Sequence, residues 1–174
     1  MTPIGHISVS YILTAKASKV TVAAAVIAAL VVDFDFIFLP FPWFNEIHRV
    51  VTHNIFFVLI IGLAGYFLTK KEIKKYVFTG ILVGGLSHLL LDAMMDTNPS
   101  NGMGVAFFWP LINQNYLIYN LFPTVTEYSP GWGNPKEMLK FTFHTILIEL
   151  PFYILATTIY IFKKTRKTNL KTVH

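Results

Sequence analysis

The chain has 174 residues, of which 54% are hydrophobic and 13% are charged, whereas soluble domains average about 25% charged residues. This length suits one domain, and the composition argues against an ordinary soluble protein. The absence of cysteine excludes disulfides and thiolate metal sites, so a metal would need His, Asp, Glu or backbone ligands. The net charge of +5 would suit nucleic acid or a membrane surface, and the placement of the basic residues favours the membrane.

Five apolar segments, each predicted to be helical, follow one another along the chain at residues 4–17, 20–39, 50–68, 76–95 and 141–162. A helix that spans a bilayer needs about 20 mostly apolar residues. The third segment meets this length without qualification, and the first is too short to classify. The others meet it if their polar residues lie near an end or face the protein interior. We therefore predict an all-α, multi-pass transmembrane bundle of four to five membrane helices.

Residues 96–140 differ in composition from the rest of the chain. Most of the asparagines and prolines lie here, and turn signals such as Asn101-Gly102 are frequent. Large aromatic residues are frequent too, and Trp and Tyr favour the membrane interface. The sequence therefore predicts an ordered, aromatic-rich cap within a single membrane-embedded domain that covers residues 1–174.

The charged residues separate clearly when the five segments cross the membrane in alternation. Most Lys and Arg residues then lie on one face, in the two loops that precede segments two and four and in the tail 163–174. By the positive-inside rule this face is cytoplasmic. The other face receives all histidines except His174 and all carboxylates except Glu72. Residue types that bind metals are therefore predicted to meet at the non-cytoplasmic face of the cell (inner) membrane.

The most specific local pattern is His88-Leu-Leu-Leu-Asp92 in the fourth segment. A spacing of four places both side chains on one face of a helix. Neutral imidazole nitrogen and carboxylate oxygen are good zinc ligands. Because a buried aspartate without a partner is costly in an apolar helix, Asp92 is predicted to need a partner.

Two further groups of polar residues lie near segment ends. Asp33 and Asp35 stand among phenylalanines, which favours a metal-binding or catalytic role for at least one of them. One of His48 and His53 is predicted to be a metal ligand, and the other a hydrogen-bonding partner. Arg49 could bind a phosphate or carboxylate, or it could anchor the chain to lipid headgroups.

Two histidines carry little signal by themselves. His6 and His144, each taken alone, are expected to be structural. Glu149 follows His144 by five residues, which is a poor helical spacing for a shared metal. Segment five therefore adds no ligand on spacing alone.

A combination of weak motifs covers roughly residues 1–110: an early His6, then Asp33-x-Asp35, His48-Arg49-x-x-Thr52-His53, His88-x3-Asp92 and Trp109-Pro110. It resembles a bacterial and archaeal family of membrane-bound metal-dependent hydrolases, which includes the LexA-regulated inner-membrane type. That family looks distantly similar to zinc-dependent phospholipase C and to single-strand-specific zinc nucleases, whose helical folds hold zinc clusters that hydrolyse phosphate esters.

The resemblance implies one or two zinc ions. One would be held by Asp33 or Asp35, His48 or His53, His88 and Asp92. A second would be shared by Asp92, His6 and the N-terminal backbone. The soluble relatives have a further histidine six residues after the aspartate, where this chain has Asn98, and an acidic residue where this chain has Ile148. A reduced site is therefore expected.

The function predicted on this basis is zinc-dependent hydrolysis of a phosphate ester, such as a lipid headgroup, by metal-activated water. Asp33 or Asp35 would accept the proton, and Arg49 would neutralise charge that develops on the phosphate. The partners would be the bilayer and an amphipathic substrate rather than nucleic acid. One alternative is a transport or ion-conducting protein, with ionisable groups staggered through the membrane. The other is a scaffold that a metal stabilises without catalysis.

Overall fold

The computed structural model of the chain describes residues 1–38, 40–95, 104–119 and 135–172. Within these residues the regular elements are helices, and one isolated antiparallel bridge joins Val105 to Tyr116. The predicted all-α fold is confirmed. The helices are α1 (Pro3–Thr14), α2 (Lys19–Val31), a 3-10 helix (Val32–Phe38), α3 (Phe44–Ile47), α4 (Ile55–Leu68), α5 (Lys74–Met94) and α6 (Pro135–Thr172).

Polar side chains determine where three of the helices begin. The side chains of Thr2, Ser18 and Asn54 accept hydrogen bonds from backbone N–H groups in the first turns of α1, α2 and α4. Because Asn54 caps α4, this helix has only 14 residues. The preceding residues of the predicted segment 50–68 form a loop instead of a helical turn. That loop carries Thr52 and His53.

Three helical stretches are long and apolar enough to cross a membrane: Lys19–Phe38, Lys74–Met94 and Thr142–Arg166. Helix α4 is apolar but shorter. The third segment was expected to be the clearest span, and this expectation is wrong in length because the Asn54 cap shortens its helix. Large apolar side chains are exposed along the bundle, as on Leu68 and Phe162. A surface of this kind suits lipid, and the chain is a helical membrane protein.

Helices α2 and α5 form the closest pair in the bundle because small residues line their contact. A Cβ atom built on Gly84 would lie 2.0 Å from the carbonyl oxygen of Ala25, and one on Gly80 would lie 2.5 Å from that of Thr21. Only glycine permits this backbone approach. The contacts pair Thr21 with Gly80 and Ala25 with Gly84, so residue numbers increase in the same direction along both helices and α2 and α5 are parallel. One turn beyond Gly84, His88 reaches the backbone of α2.

The other long helices, α1, α4 and α6, run in the opposite direction to α2 and α5. Ser10 of α1 faces Ser87 of α5, and His6 faces Asp92, so α1 runs antiparallel to α5. Helix α4 is also antiparallel to α5, and α6 runs alongside α1. The lysine-rich turns and the early part of the C-terminal tail therefore lie at one end of the bundle. The clustered histidines and aspartates lie at the other end.

Residues 104–119 pack against the loops at the histidine-rich end. The backbone of Ala106 donates to Arg49, that of Ile55 donates to Phe107, and that of Ile118 donates to Ala93. This part of the predicted cap is thus tied to the bundle by backbone hydrogen bonds. Residues 96–103 and 120–134 of the cap prediction lie outside the described residues, and residues 135–140 belong to α6 rather than to a loop.

Candidate metal centre

Four side chains from three separate parts of the chain converge at the histidine-rich end. Asp33 comes from the 3-10 helix, His53 from the loop before α4, and His88 and Asp92 from α5. Each offers one ligand atom, and these atoms all lie within 4.8 Å of one another. His53, His88 and Asp92 are buried, and Asp33 is half-buried. We call these four residues the metal cluster.

The geometry of the metal cluster directs its nitrogen and oxygen atoms toward one region. His53 Nε2 lies 3.3 Å from Asp33 Oδ1 and 3.4 Å from Asp92 Oδ2. His88 Nε2 lies 3.4 Å and 3.3 Å from the same two oxygens. The two Nε2 atoms are 3.3 Å apart. Two imidazoles and two carboxylates make a four-ligand set of the kind that zinc accepts.

Hydrogen bonds determine which ring nitrogen faces the cluster. His88 Nδ1 lies 2.7 Å from the carbonyl oxygen of Ala29, which can only accept, so Nδ1 carries the proton. Thr52 Oγ1 donates to Asp35 Oδ2 at 3.2 Å and lies 3.0 Å from His53 Nδ1. The hydroxyl therefore accepts from His53. Both histidines therefore turn Nε2 toward the cluster, and this nitrogen can bind a metal when it carries no proton.

His6 stands at the edge of the metal cluster. Its Nε2 lies 3.1 Å from Asp92 Oδ1, and its ring stacks on His88 with centroids 3.6 Å apart. Apart from this contact with Asp92, its buried ring nitrogens have no hydrogen-bond partner within the described part of the chain. The Met1 nitrogen lies 3.0 Å from the same Asp92 oxygen.

A second group lies behind His53. Asp35 Oδ2 lies 3.0 Å from His48 Nδ1 and 4.0 Å from His53 Nδ1. Asp33 and Asp35 separate because residues two apart in a 3-10 helix point about 120° away from each other. Asp33 thus faces the metal cluster, whereas Asp35 supports His53 through Thr52. His53 belongs to the metal cluster, and together with Asp35 and His48 it also forms this second group, which could hold a metal ion as well.

A cavity of about 180 Å³ opens beside the metal cluster. Asp33 and Asp92 of the cluster line it, together with His48, Arg49 and the residues at the start of α1. Arg49 is buried and has a φ of 65°, a left-handed conformation that non-glycine residues rarely adopt. Its carbonyl accepts a hydrogen bond from Ala106 at 3.3 Å. The loop therefore places Arg49 in the lining of the same cavity as Asp33 and Asp92.

Segment five contributes differently from what spacing suggested. His144 is exposed and belongs to neither group, and Asn98 lies outside the described residues. Glu149 is buried, and its carboxylate accepts hydrogen bonds from Thr2 N at 2.6 Å and from Thr2 Oγ1 at 2.5 Å. Tyr153 also donates to it. A lone carboxylate in an apolar helix signals such a partner, but only the fold identifies Thr2.

Thr52→Val is expected to weaken metal binding about tenfold to a hundredfold, because it removes the hydroxyl between His53 and Asp35 while keeping the side-chain shape. Thr52→Ser keeps the hydroxyl and should bind metal like the wild type. Competition with a chromogenic chelator measures both affinities. Equal losses in the two variants would show that the hydroxyl does not support the cluster.

Comparisons with known proteins point to a membrane family. A search of curated proteins and a search of solved structures each found no match. One family model, described as YdjM inner membrane protein, matches residues 1–169. This match covers nearly the whole chain, including both groups of His and Asp that could hold a metal and the candidate spans. The chain belongs to the YdjM inner membrane protein family.

Proposed function

We propose that this protein is a metal-dependent hydrolase of phosphate esters that acts at the membrane on lipid-like substrates. The observation that carries the proposal is the metal cluster next to a cavity that Arg49 lines. A four-ligand set of His and Asp suits zinc, and a nearby guanidinium suits a phosphate group. Asp33, Asp92 and Arg49 line the same cavity, which favours chemistry on an anionic substrate.

The depth of the site supports an amphipathic substrate. From Lys19 to Asp33, and from Lys75 to His88, the chain rises about 20 Å at about 1.5 Å per helical residue. The hydrocarbon core of a bilayer is about 30 Å thick. With the lysines at one interface, the metal cluster lies below the opposite interface. A lipid can bring its headgroup to this depth from the side.

Several large apolar side chains near the metal cluster are exposed on the protein surface. Phe34 is 61% exposed, Phe41 50% and Trp43 40%, and Leu111 of the cap is 76% exposed. Aromatic side chains are favoured at the membrane interface. These residues would contact the leaflet that supplies the substrate. By the positive-inside rule the lysine-rich end is cytoplasmic, so this is the non-cytoplasmic leaflet.

Four residues of the site would act as metal ligands. Asp33, His53, His88 and Asp92 would hold one zinc ion, and Asp92 Oδ1 with His6 offers a position for a second. When bound, zinc supplies Lewis acidity that polarises a phosphoryl oxygen and makes water more acidic.

Charge and proton transfer would fall to the cavity residues. Arg49 would bind the phosphate and offset its developing charge. His48 lines the cavity, and its Nδ1 is bonded to Asp35, so this histidine is the best-placed group to accept the proton of the attacking water. The sequence alone also allows Asp33 to be the proton acceptor, but its position in the metal cluster favours a role as metal ligand.

The distribution of buried ionisable groups favours a site over an ion pathway. The buried histidines and carboxylates of the described helices and loops all lie at one end of the bundle, and Glu149 is joined to them through Thr2. A pathway would need such groups staggered through the membrane depth. A metal-stabilised scaffold would keep the metal cluster without requiring His48 or Arg49 in an adjoining cavity.

His48→Gln is the variant that tests catalysis. The wild type, purified in detergent and loaded with zinc, should hydrolyse phosphodiester or phosphomonoester lipids in mixed micelles, and a chelator should stop the reaction. His48→Gln is expected to lower kcat/KM by about 10²-fold or more with unchanged zinc content, because it removes a proton acceptor outside the metal cluster. The exposed His144→Gln should change neither quantity. Zinc binding with no turnover of any phosphate ester would support the scaffold instead.

A further inference from the structure

A second cavity lies at the end of the bundle opposite the metal centre. It is a groove of about 620 Å³ between α1, α2 and α6. Lys19, Lys163 and Lys164 line it, and no aspartate or glutamate is among its lining residues. Lys163 also donates to the carbonyl of Ala15, which places its ammonium group at the end of α1. The groove therefore concentrates positive charge at one mouth.

The walls of this basic groove are otherwise apolar. From Lys19 they continue along α2 over Val22, Ala23 and Val26. Seven residues of helix rise about 10 Å, which is enough to hold much of an acyl chain. The groove thus joins a charged mouth to an apolar channel that points toward the middle of the membrane.

An adjoining groove of about 250 Å³ begins at the same place. It shares Tyr11 and Tyr160 with the basic groove and continues between α1 and α6 past Ile7 and Ala156. Two apolar channels therefore diverge from the region of the three lysines. A diacyl phospholipid has this arrangement of one headgroup and two chains.

We propose that these two grooves form a binding site for an anionic phospholipid of the leaflet at the lysine-rich end. The lysines bind the phosphate, and the two channels receive the acyl chains. A second copy of the chain fits less well, because a helix in the grooves would bury three lysines with no carboxylate from the groove itself. Free phosphate would contact the lysines but leave both channels unfilled. This proposal does not depend on the hydrolase activity.

Electron spin resonance with spin-labelled lipids tests the proposal on the full chain in bilayers. Labelled phosphatidylglycerol should be immobilised by the protein in preference to labelled phosphatidylcholine. Combined substitution of Lys19, Lys163 and Lys164 by Gln should reduce that preference about tenfold. Substituting Lys70, Lys71 and Lys75 by Gln removes the same charge from the same end outside the grooves and should leave the preference nearly unchanged.

A second variant tests the apolar channel without a change of charge. Ala23 is exposed in the groove, and Ala23→Trp should also reduce immobilisation of the anionic lipid. Equal losses in the two lysine variants would overturn the proposal in favour of general surface attraction. Full displacement of the lipid by glycerol phosphate would assign the lysines to a soluble phosphate. A cross-linked dimer through the groove would assign them to a second copy.

Discussion

Asp92→Ala is expected to abolish zinc binding and, with it, hydrolysis. Asp92 is the common neighbour of the site: one carboxylate oxygen lies 3.1 Å from His6 Nε2, and the other lies 3.3 Å from His88 Nε2 and 3.4 Å from His53 Nε2. Losing a residue that only supports a ligand typically costs tenfold to a hundredfold in affinity, so losing a shared ligand should cost more. We expect zinc content to fall below about a tenth of the wild-type value.

Zinc analysis of purified protein after dialysis measures this effect. Asp92→Asn keeps the shape of the side chain and should also lose the metal, which separates loss of the ligand from loss of packing. His144→Ala changes an exposed histidine outside both groups that could hold a metal, and it should retain wild-type zinc. Wild-type metal content in Asp92→Ala would contradict the metal cluster. If the wild-type protein binds no metal, both the hydrolase proposal and the metal-stabilised scaffold are ruled out.

Gly84→Ala should cause a large loss of stability from a single methyl group. The added Cβ would lie 2.0 Å from the carbonyl oxygen of Ala25, and backbone atoms cannot move aside as a flexible side chain can. Helices α2 and α5 must therefore separate. Overpacking typically costs 1–3 kcal/mol, which outweighs the gain of about 1 kcal/mol from replacing glycine by alanine in a helix. Because the contact is with backbone, the upper end of the overpacking range, about 3 kcal/mol, applies, and the net loss in the free energy of unfolding is expected to be about 2 kcal/mol.

The same variant should weaken zinc binding, because His88 lies one turn beyond Gly84 and hydrogen-bonds to Ala29 of α2. Denaturant unfolding in detergent measures the stability, and chelator competition measures the affinity. Gly62→Ala is the matched control: it is also a helical glycine, and its added Cβ would meet only side-chain atoms, the nearest in Phe78 at 3.3 Å. Similar stability losses in both variants would mean that the α2–α5 contact is not specially close.

Part of the candidate site could be predicted from residue types and local spacing. His88 and Asp92 face the same region because residues four apart share a helix face. Charge sorting also placed His6, Asp33 and His53 at the same end as this pair. It could not show which aspartate or which histidine would enter the metal cluster, because that choice depends on the turn of the 3-10 helix and on the loop at Arg49.

Other features escaped local patterns because they join residues far apart in sequence. Thr2 and Glu149 are 147 positions apart, and no spacing rule relates them. The support of His53 by Asp35 passes through Thr52, whose hydroxyl carries no pattern of its own. The apolar segment 50–68 predicts an earlier start for α4 than the structure shows. Hydropathy takes no account of the cap at Asn54, whose side-chain hydrogen bond makes the helix begin at Ile55.

The sequence by itself determined the helical class, the membrane setting and the separation of lysines from histidines and aspartates between the two ends. These properties follow from composition and from the length of apolar runs, which act locally. Only the tertiary structure decided that α2 and α5 approach through Gly80 and Gly84, and that Asp33, His53, His88 and Asp92 meet. The metal cluster depends on where packed backbones place side chains from distant segments, and local spacing carries no information about that placement.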